Sequence, residues 1–349
     1  MPVNHPAVSV LMPVYNTGVY LREAIASVLC QTFTDFEFLV FNDGSTDDSV
    51  AVIRSFGDAR IKLFDQHLNT GYVAHLNRGI ELATGKYIAR MDSDDVCHPQ
   101  RLEKQVSFME AHPGVGICGT WFDIIGEPDQ VILHPVKDRD TRIRFLHETA
   151  LGHPTVMMRS EVLQHYSLRY KGELVPAEDY HLWVEASQHC QLANLPEVLL
   201  HYRRHPGQIS VRKSEDQAQK VSLARQRQLD WLMGEKVSET DLSLFEAVIS
   251  KQYLRGDDFL GKAATWLEKM KVANEVRKSY DPVALSAVLA NYWKNLLLHA
   301  PRFNPAMLRA AYAGSMQTSQ LLTAQENVVF ILKCLLSWEQ RGVYRAAKE

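Results

Sequence analysis

The sequence predicts an α/β fold built on a mostly parallel central sheet flanked by helices, followed by an all-helical C-terminal region. Three observations carry this. Short apolar strands alternate with amphipathic helices through the first hundred residues, the pattern of a doubly wound sheet. Two of those strands run directly into Asp-rich loops, Asn42-Asp43-Gly44 and Asp92-Ser93-Asp94-Asp95. After about residue 210 Gly and Pro thin out and Ala, Leu, Gln, Lys and Arg take over. The chain therefore divides, on this reading, into residues 1–210 and 211–349.

In order, Val8 to Met12 reads as a first strand closed by Pro13, and Tyr15-Asn16-Thr17-Gly18 as a loop. Between Val19 and Leu29 the apolar residues Tyr20, Leu21, Ala24, Ile25, Val28 and Leu29 follow helical spacing. Phe36 to Phe41 is a second strand; Ser45 or Thr46 can cap the helix that follows, which carries Val50, Val52, Ile53 and Phe56. A third strand spans Ile61 to Phe64. Asn69-Thr70-Gly71 turns into a helix from Tyr72 to Ala83, stopped by Thr84-Gly85. The fourth strand, beginning at Tyr87, ends in the acidic cluster. Pro99 to Ala111 is helical, Val115 to Phe122 is strand, and Gly126-Glu127-Pro128-Asp129 is a turn. Shorter pieces follow: strands at Thr155 to Met158 and Val198 to Tyr202, and a helix over Asp179 to Gln188. Helices are predicted over Gln217–Met233, Leu242–Tyr253, Phe259–Lys271, Pro282–His299, Ala306–Ser319 and Glu326–Gln340.

Bulk properties narrow the function. Of 349 residues 46% are apolar and 23% charged, enough for an ordinary core. A net charge of −3 offers no broad basic field, so no nucleic-acid partner is expected. The five cysteines, Cys30, Cys97, Cys118, Cys190 and Cys334, are odd in number and widely spaced, with no C-x-x-C. They read as reduced thiols rather than a disulfide framework or a zinc site. The N-terminal residues show no secretory pattern, and a cytoplasmic protein is expected, with attachment at the inner face of a membrane left open.

Three carboxylates in four residues repel one another, and a hard divalent cation is the usual reason to gather them at a strand end. The alternative is a solvated acidic loop whose last Asp caps the next helix. Gly114-Val115-Gly116-Ile117-Cys118-Gly119 matches G-x-G-x-x-G, but its glycines follow a helix and lie along a strand, the wrong context for a dinucleotide fingerprint. Ala177-Glu178-Asp179-Tyr180 precedes a helix; one acid could cap it, or could serve as a general base at the edge of a cleft. Of Arg203 and Arg204, strand alternation allows at most one on the cleft side.

As an ordered set the motifs resemble glycosyltransferase family 2 and its GT-A nucleotide-diphospho-sugar transferase fold. They are V-S-V-L-M-P-V-Y-N (Val8–Asn16), S-V-L-C-Q-T-F-T-D-F-E (Ser27–Glu37), N-D-G-S-T-D-D-S (Asn42–Ser49), N-T-G-Y-V-A-H-L-N-R-G-I (Asn69–Ile80), G-K-Y-I-A-R-M-D-S-D-D (Gly85–Asp95), G-H-P-T-V-M-M-R (Gly152–Arg159), A-E-D-Y-H-L-W (Ala177–Trp183) and Y-R-R-H-P-G-Q-I-S (Tyr202–Ser210). The resemblance covers about residues 5 to 210. It implies an inverting, metal-dependent transfer of one sugar from a nucleotide-sugar, with a UDP-hexose as the expected donor. The implied acceptor is a saccharide or lipid-linked saccharide in cell-surface polysaccharide synthesis. Pro13 and Tyr15 would line the base pocket and Asp43 would accept a base N–H. Asp92 would hold the ribose or assist the metal. Asp94, Asp95 and His205 would bring Mn²⁺ or Mg²⁺ to the diphosphate, and Asp179 would be the base. Asn77, Glu178 and Arg203 would be further donor contacts. The chain departs from the family pattern at Asn42, where many members carry Asp, and it lacks the Q-x-x-R-W of processive synthases. Two other readings stand beside this one: a non-catalytic nucleotide-sugar-binding scaffold, and a sugar-phosphate nucleotidyltransferase, whose Gly-rich first loop is missing here. In the C-terminal region Trp293, Leu296, Leu297 and Leu298 form an apolar stripe that reads as bundle core or oligomer face, or as a surface lying on a membrane.

Overall fold

A computed structural model describes residues 5–126, 130–205, 214–253, 258–300, 303–313 and 321–338. The sheet has the order β3-β2-β1-β4-β8-β6-β9-β5, with β7 paired to β6. Its strands are β1 (Val8–Val14), β2 (Phe36–Asp43), β3 (Ile61–Gln66), β4 (Tyr87–Arg90), β5 (Val96–Cys97), β6 (Val115–Ile125), β7 (Val131–Ile132), β8 (Met157–Arg159) and β9 (Gln191–Arg203). Helices α1 (Gly18–Leu29), α2 (Ser49–Arg54), α3 (Tyr72–Leu82), α4 (Arg101–Ala111), α5 (Asp138–Arg144), α6 (Ser160–His165) and α7 (Glu178–Ala186) flank it.

The alternation of side chains along a strand sorts the core onto two faces. Val8, Val10 and Met12 of β1 and Phe38 and Val40 of β2 pack with Leu21, Ile25 and Val28 of α1, with α2, and with Leu102 and Met109 of α4. Leu11, Leu39 and Phe41 point the other way, onto Val73, Leu76 and Ile80 of α3 and onto α6 and α7. Strands buried on both faces explain why they read as continuous apolar runs rather than alternating ones.

The first four strands are parallel, as the alternation predicts. Beyond β4 the sheet is mixed. β8 runs antiparallel to both β4 and β6, and β9 runs parallel to β6. Two reversals restore the original direction, so β9 ends at the same edge as β1, β2 and β4. That edge therefore receives Tyr15, Asp43, Asp92 and Arg203 from four strands. β9 is far longer than the predicted Val198–Tyr202. The predicted strand at 155–158 begins as a 3₁₀ turn, His153–Thr155, before β8. The glycines of the G-x-G-x-x-G run lie on or beside β6, packed against β9: a Cβ on Gly116 would sit 2.4 Å from Cys190 Sγ, and one on Gly119 2.3 Å from Asn194 Oδ1. They serve close strand packing, not phosphate.

The chain divides into two compact units, residues 1–224 and 225–349, with the division falling inside α8 (Ser214–Met233). The second unit continues through α9 (Glu239–Ser250), α10 (Phe259–Arg277), α11 (Pro282–Leu298), α12 (Pro305–Ala313) and α13 (Ala324–Leu335). Three of these helices start on side-chain caps. Ser238 accepts from the Asp241 N–H, Asp281 from the Ala284 N–H just before Pro282, and Thr323 with Glu326 forms a capping box. Trp293, Leu296 and Leu297 are fully buried. The apolar stripe of α11 is therefore bundle core, and as a membrane-lying surface it is corrected. Among the described residues no helix is long and apolar enough to cross a membrane. All five cysteines are free. Residues 127–129 of the predicted turn, Pro206 to Ser210 of the last motif, and the predicted helical stretches over 314–319 and 339–340 lie outside the described residues.

Candidate active site

On the nucleotide side, Pro13 is buried within β1 and Tyr15, 49% exposed, follows its end as an open aromatic platform. Asp43 ends β2 and is buried. Gly44, at φ +72°, breaks the strand there in the left-handed region that a side chain disfavours. The Asp43 carboxylate accepts the Thr70 N–H at 2.7 Å, the Gly71 N–H at 3.0 Å and the His75 Nε2–H at 2.7 Å. It thus organises the start of α3. The Thr70 hydroxyl adds a longer bond to Oδ1 at 3.4 Å, whereas among the described residues Oδ2 takes only the Gly71 N–H, so Oδ2 is the oxygen with room for a base N–H. Asn42, the departure from the family pattern, donates to Asp65 and accepts the Ser45 N–H, which fixes the neighbouring turn. Asn77 is committed elsewhere: its side chain donates to the Tyr170 carbonyl at 2.8 Å and accepts the Tyr170 N–H at 2.9 Å. Its amide clamps the segment leading into α7, which makes it a support for the site.

Asp92, Asp94 and Asp95 each offer an oxygen, and the three oxygens lie within 4.8 Å of one another. Burial, with the charge of Asp94 added and that of Arg90 opposing, pushes Asp92 up to about 6. Burial and the two neighbouring carboxylates push Asp95 well above the carboxylate range. Asp95 Oδ1 accepts the Arg203 N–H at 2.9 Å, while Oδ2 is buried with no hydrogen-bond donor among the described residues. His205 Nε2 lies 2.9 Å from Asp94 Oδ2. An all-oxygen set with one imidazole at its rim and one orphaned buried oxygen fits a hard divalent cation. The Arg203 side chain donates to the Asp94 carbonyl at 2.8 Å and to Glu23 at 2.6 Å, and covers the Tyr20 ring at 4.7 Å. It pins the acidic loop to α1.

The start of α7 lies near enough for the Glu178 charge to act on Asp92. Glu178 is buried, 3.9 Å from His153 Nδ1 and hydrogen-bonded to Tyr72. Asp179 is partly exposed and accepts the Tyr180 N–H at 2.7 Å. Burial first, then the charge of Glu178, push Asp179 up to about 7, against the Tyr180 N–H and Arg90. A carboxyl that titrates near neutrality at a cleft edge suits general base chemistry. Tyr180 donates its hydroxyl to the Phe145 carbonyl, which anchors α7 from behind.

Comparison with known proteins follows the same residues. The family model described as Glycosyl transferase family 2 matches residues 9–167. The Escherichia coli protein UDP-Glc:alpha-D-GlcNAc-diphosphoundecaprenol beta-1,3-glucosyltransferase WfgD is 32% identical over 177 residues, 51% of this chain and 68% of that protein. The chain belongs to glycosyltransferase family 2. As a family 2 glycosyltransferase it is a transferase, and its fold agrees with solved structures. TarS of S. aureus, in complex with UDP-GlcNAc, superposes with a TM-score of 0.57 at 17% identity, covering 83% of this chain and 90% of that one. The mannosyltransferase PcManGT from Pyrobaculum calidifontis, in complex with GDP-Man and Mn²⁺, gives 0.51 at 15%, covering 95% and 88%. At these identities the likeness concerns the fold.

Sequence reasoning passed over Arg90, His75, His153 and Tyr72. Arg90 carried a signal: a cation closing a four-residue strand that is otherwise apolar. His153 carried one too, inside the G-H-P-T motif, without a partner to give it a role.

Proposed function

We propose that this family 2 glycosyltransferase moves one sugar from a UDP-hexose to a saccharide or lipid-linked saccharide, with inversion at the anomeric carbon and with Mn²⁺ or Mg²⁺ as cofactor. The observation that carries this reading is the acidic cluster after β4, where Asp92, Asp94 and Asp95 each bring an oxygen within 4.8 Å of one another, together with Asp179 near neutrality at the start of α7. The E. coli relative's name specifies a UDP-sugar donor and a diphosphoundecaprenol-linked acceptor, and TarS was seen with UDP-GlcNAc. PcManGT was seen with Mn²⁺. Cytoplasmic location at the inner face of a membrane accords with such an acceptor.

Tyr15 stacks on the base and Asp43 accepts its N–H. Asp94, Asp95 and His205 would hold the cation, and Asp92 would reach the ribose or the ion. The cation, when bound, neutralises the departing diphosphate. The acceptor oxygen attacks the anomeric carbon from the face opposite the diphosphate. Its proton passes to the Asp179 carboxylate, and the electron pair of the broken C–O bond leaves with the diphosphate. Glu178, hydrogen-bonded to Tyr72, is a further contact to the donor sugar.

The test is UDP release from UDP-Glc, UDP-GlcNAc and other UDP-sugars, with saccharide and diphospholipid acceptors, in Mn²⁺ or EDTA. Cation-dependent release that rises with acceptor supports the proposal. Absence of both transfer and slow donor hydrolysis across the panel would point to a non-catalytic binder.

A further inference from the structure

The start of α1 meets the acidic loop and the end of β9 at three points. Thr17, Tyr20 and Glu23 recur every three residues, a spacing that puts them on one side of the helix start. Thr17, just before the helix, donates its hydroxyl to Ser93 Oγ at 2.9 Å, inside the acidic loop. Glu23 accepts from the Arg203 guanidinium at 2.6 Å. The same guanidinium lies over the Tyr20 ring at 4.7 Å, within the about 6 Å reach of a cation–π contact. Tyr20 also meets His205: the two ring centroids are 5.0 Å apart and their planes are tilted by 38°. His205 lies two residues beyond the last residue of β9, outside the sheet ladder. Its Nε2 is 2.9 Å from Asp94 Oδ2, and since a carboxylate only accepts, Nε2 donates. Arg203 has bonds of its own to the loop, from its N–H to Asp95 Oδ1 and from its Nε to the Asp94 carbonyl. An imidazole past the end of a strand is free to turn about two side-chain torsions. The Tyr20 ring takes up that freedom from the α1 side.

We propose that Tyr20 is a positioning residue: its ring seats the His205 imidazole against Asp94, so that α1 completes the cation site from outside it. This deepens the proposed function and rests on its reading of Asp94 and His205 as the residues that hold the cation. The contact is ring against ring, so the position calls for an aromatic face and not for a hydroxyl. One short stretch, Tyr15 to Glu23, then serves both ends of the nucleotide, with Tyr15 at the base and Tyr20 behind the diphosphate.

The direct test needs no metal. In metal-free protein with ¹⁵N-labelled histidine, the His205 Nε2–H signal is assigned by its loss in His205→Ala. The wild type should show it, because the bond to Asp94 shields that proton from exchange with water. It should persist in Tyr20→Phe, which keeps the ring. It should vanish in Tyr20→Leu and in Tyr20→Met, which remove the ring and keep apolar bulk at a partly buried position. The second arm follows Mn²⁺ itself, by the EPR signal of the free ion at saturating UDP. Tyr20→Leu should lower Mn²⁺ affinity about tenfold, the low end for losing a group that orients a metal ligand, and Tyr20→Phe should not. In the His205→Ala background Tyr20→Leu should change nothing further, because Tyr20 acts through the imidazole. A signal absent from the wild type, or one that survives loss of the ring, overturns the proposal. So does an equal loss of Mn²⁺ affinity with and without His205. If the signal follows the ring while Mn²⁺ binding ignores both His205→Ala and Tyr20→Leu, Tyr20 still positions His205 and His205 is not a metal ligand.

Discussion

Replacing Asp179 with Asn removes the proton acceptor and keeps the shape. The amide oxygen can still take the Tyr180 N–H that the carboxylate accepts at 2.7 Å, so α7 should start unchanged. With its carboxyl pushed up to about 7 by burial and by Glu178, the wild-type base is about half ionised at pH 7. It is about one-tenth ionised at pH 6 and about one-hundredth at pH 5. The rate should therefore fall about tenfold per pH unit below 7 and level off above 8. General base catalysis contributes about 10²- to 10⁴-fold, so Asp179→Asn should lose activity on that scale and lose the acid limb with it. Initial rates of UDP release at saturating Mn²⁺, from pH 5 to 9, measure both. UDP affinity should stay unchanged, since the nucleotide and cation side is built from β1, β2 and the loop after β4. An Asn variant within tenfold of wild type, or a wild-type limb near pH 4, would refute the assignment.

Two further predictions concern stability. Glu37 is buried in β2. Although burial raises its carboxyl, bonds from Lys62, Ser9 and Thr84 more than offset this and bring it down to about 2 from an ordinary 4.5. Its stabilisation is then fully present above pH 4.5 and fades as the pH falls through 2, so Glu37→Gln should cost about 3 kcal/mol at neutral pH by urea denaturation, with a difference that shrinks below pH 4.5. A constant difference from pH 3 to 7 would contradict this. Trp293, fully buried in α11, should cost about 3–5 kcal/mol when cut to Ala; a near-neutral change in the same assay would return the α11 stripe to the surface.

The alternation of apolar runs and turn residues made the first four strands and their helices readable, because doubly buried strands and amphipathic helices leave long, regular signals. The acidic cluster and the Glu178-Asp179 pair were visible as residues gathered against their own repulsion. What stayed hidden depended on contacts between distant segments. The two-residue strands β5 and β7 are too short for any periodicity. The reversal at β8 is a tertiary choice that no local residue announces. Asn77 looked like a ligand contact, yet it clamps a backbone 93 residues away. Glu37 and Ser9 carried no signal of their own in the sequence, yet they bond each other in the interior at 2.6 Å. Arg90 closes an otherwise apolar strand, but its bond to Asp92 Oδ2 at 2.5 Å is visible only in the structure.

The most direct test is calorimetric titration of UDP into the purified protein in Mn²⁺ and in EDTA, repeated with Asp94→Ala. The account predicts binding in Mn²⁺ that weakens by about tenfold or more both in EDTA and in Asp94→Ala, since the carboxylates and the diphosphate share one cation. Equal affinity in Mn²⁺ and EDTA would remove the metal from the acidic cluster. No binding in either would contradict the nucleotide site itself.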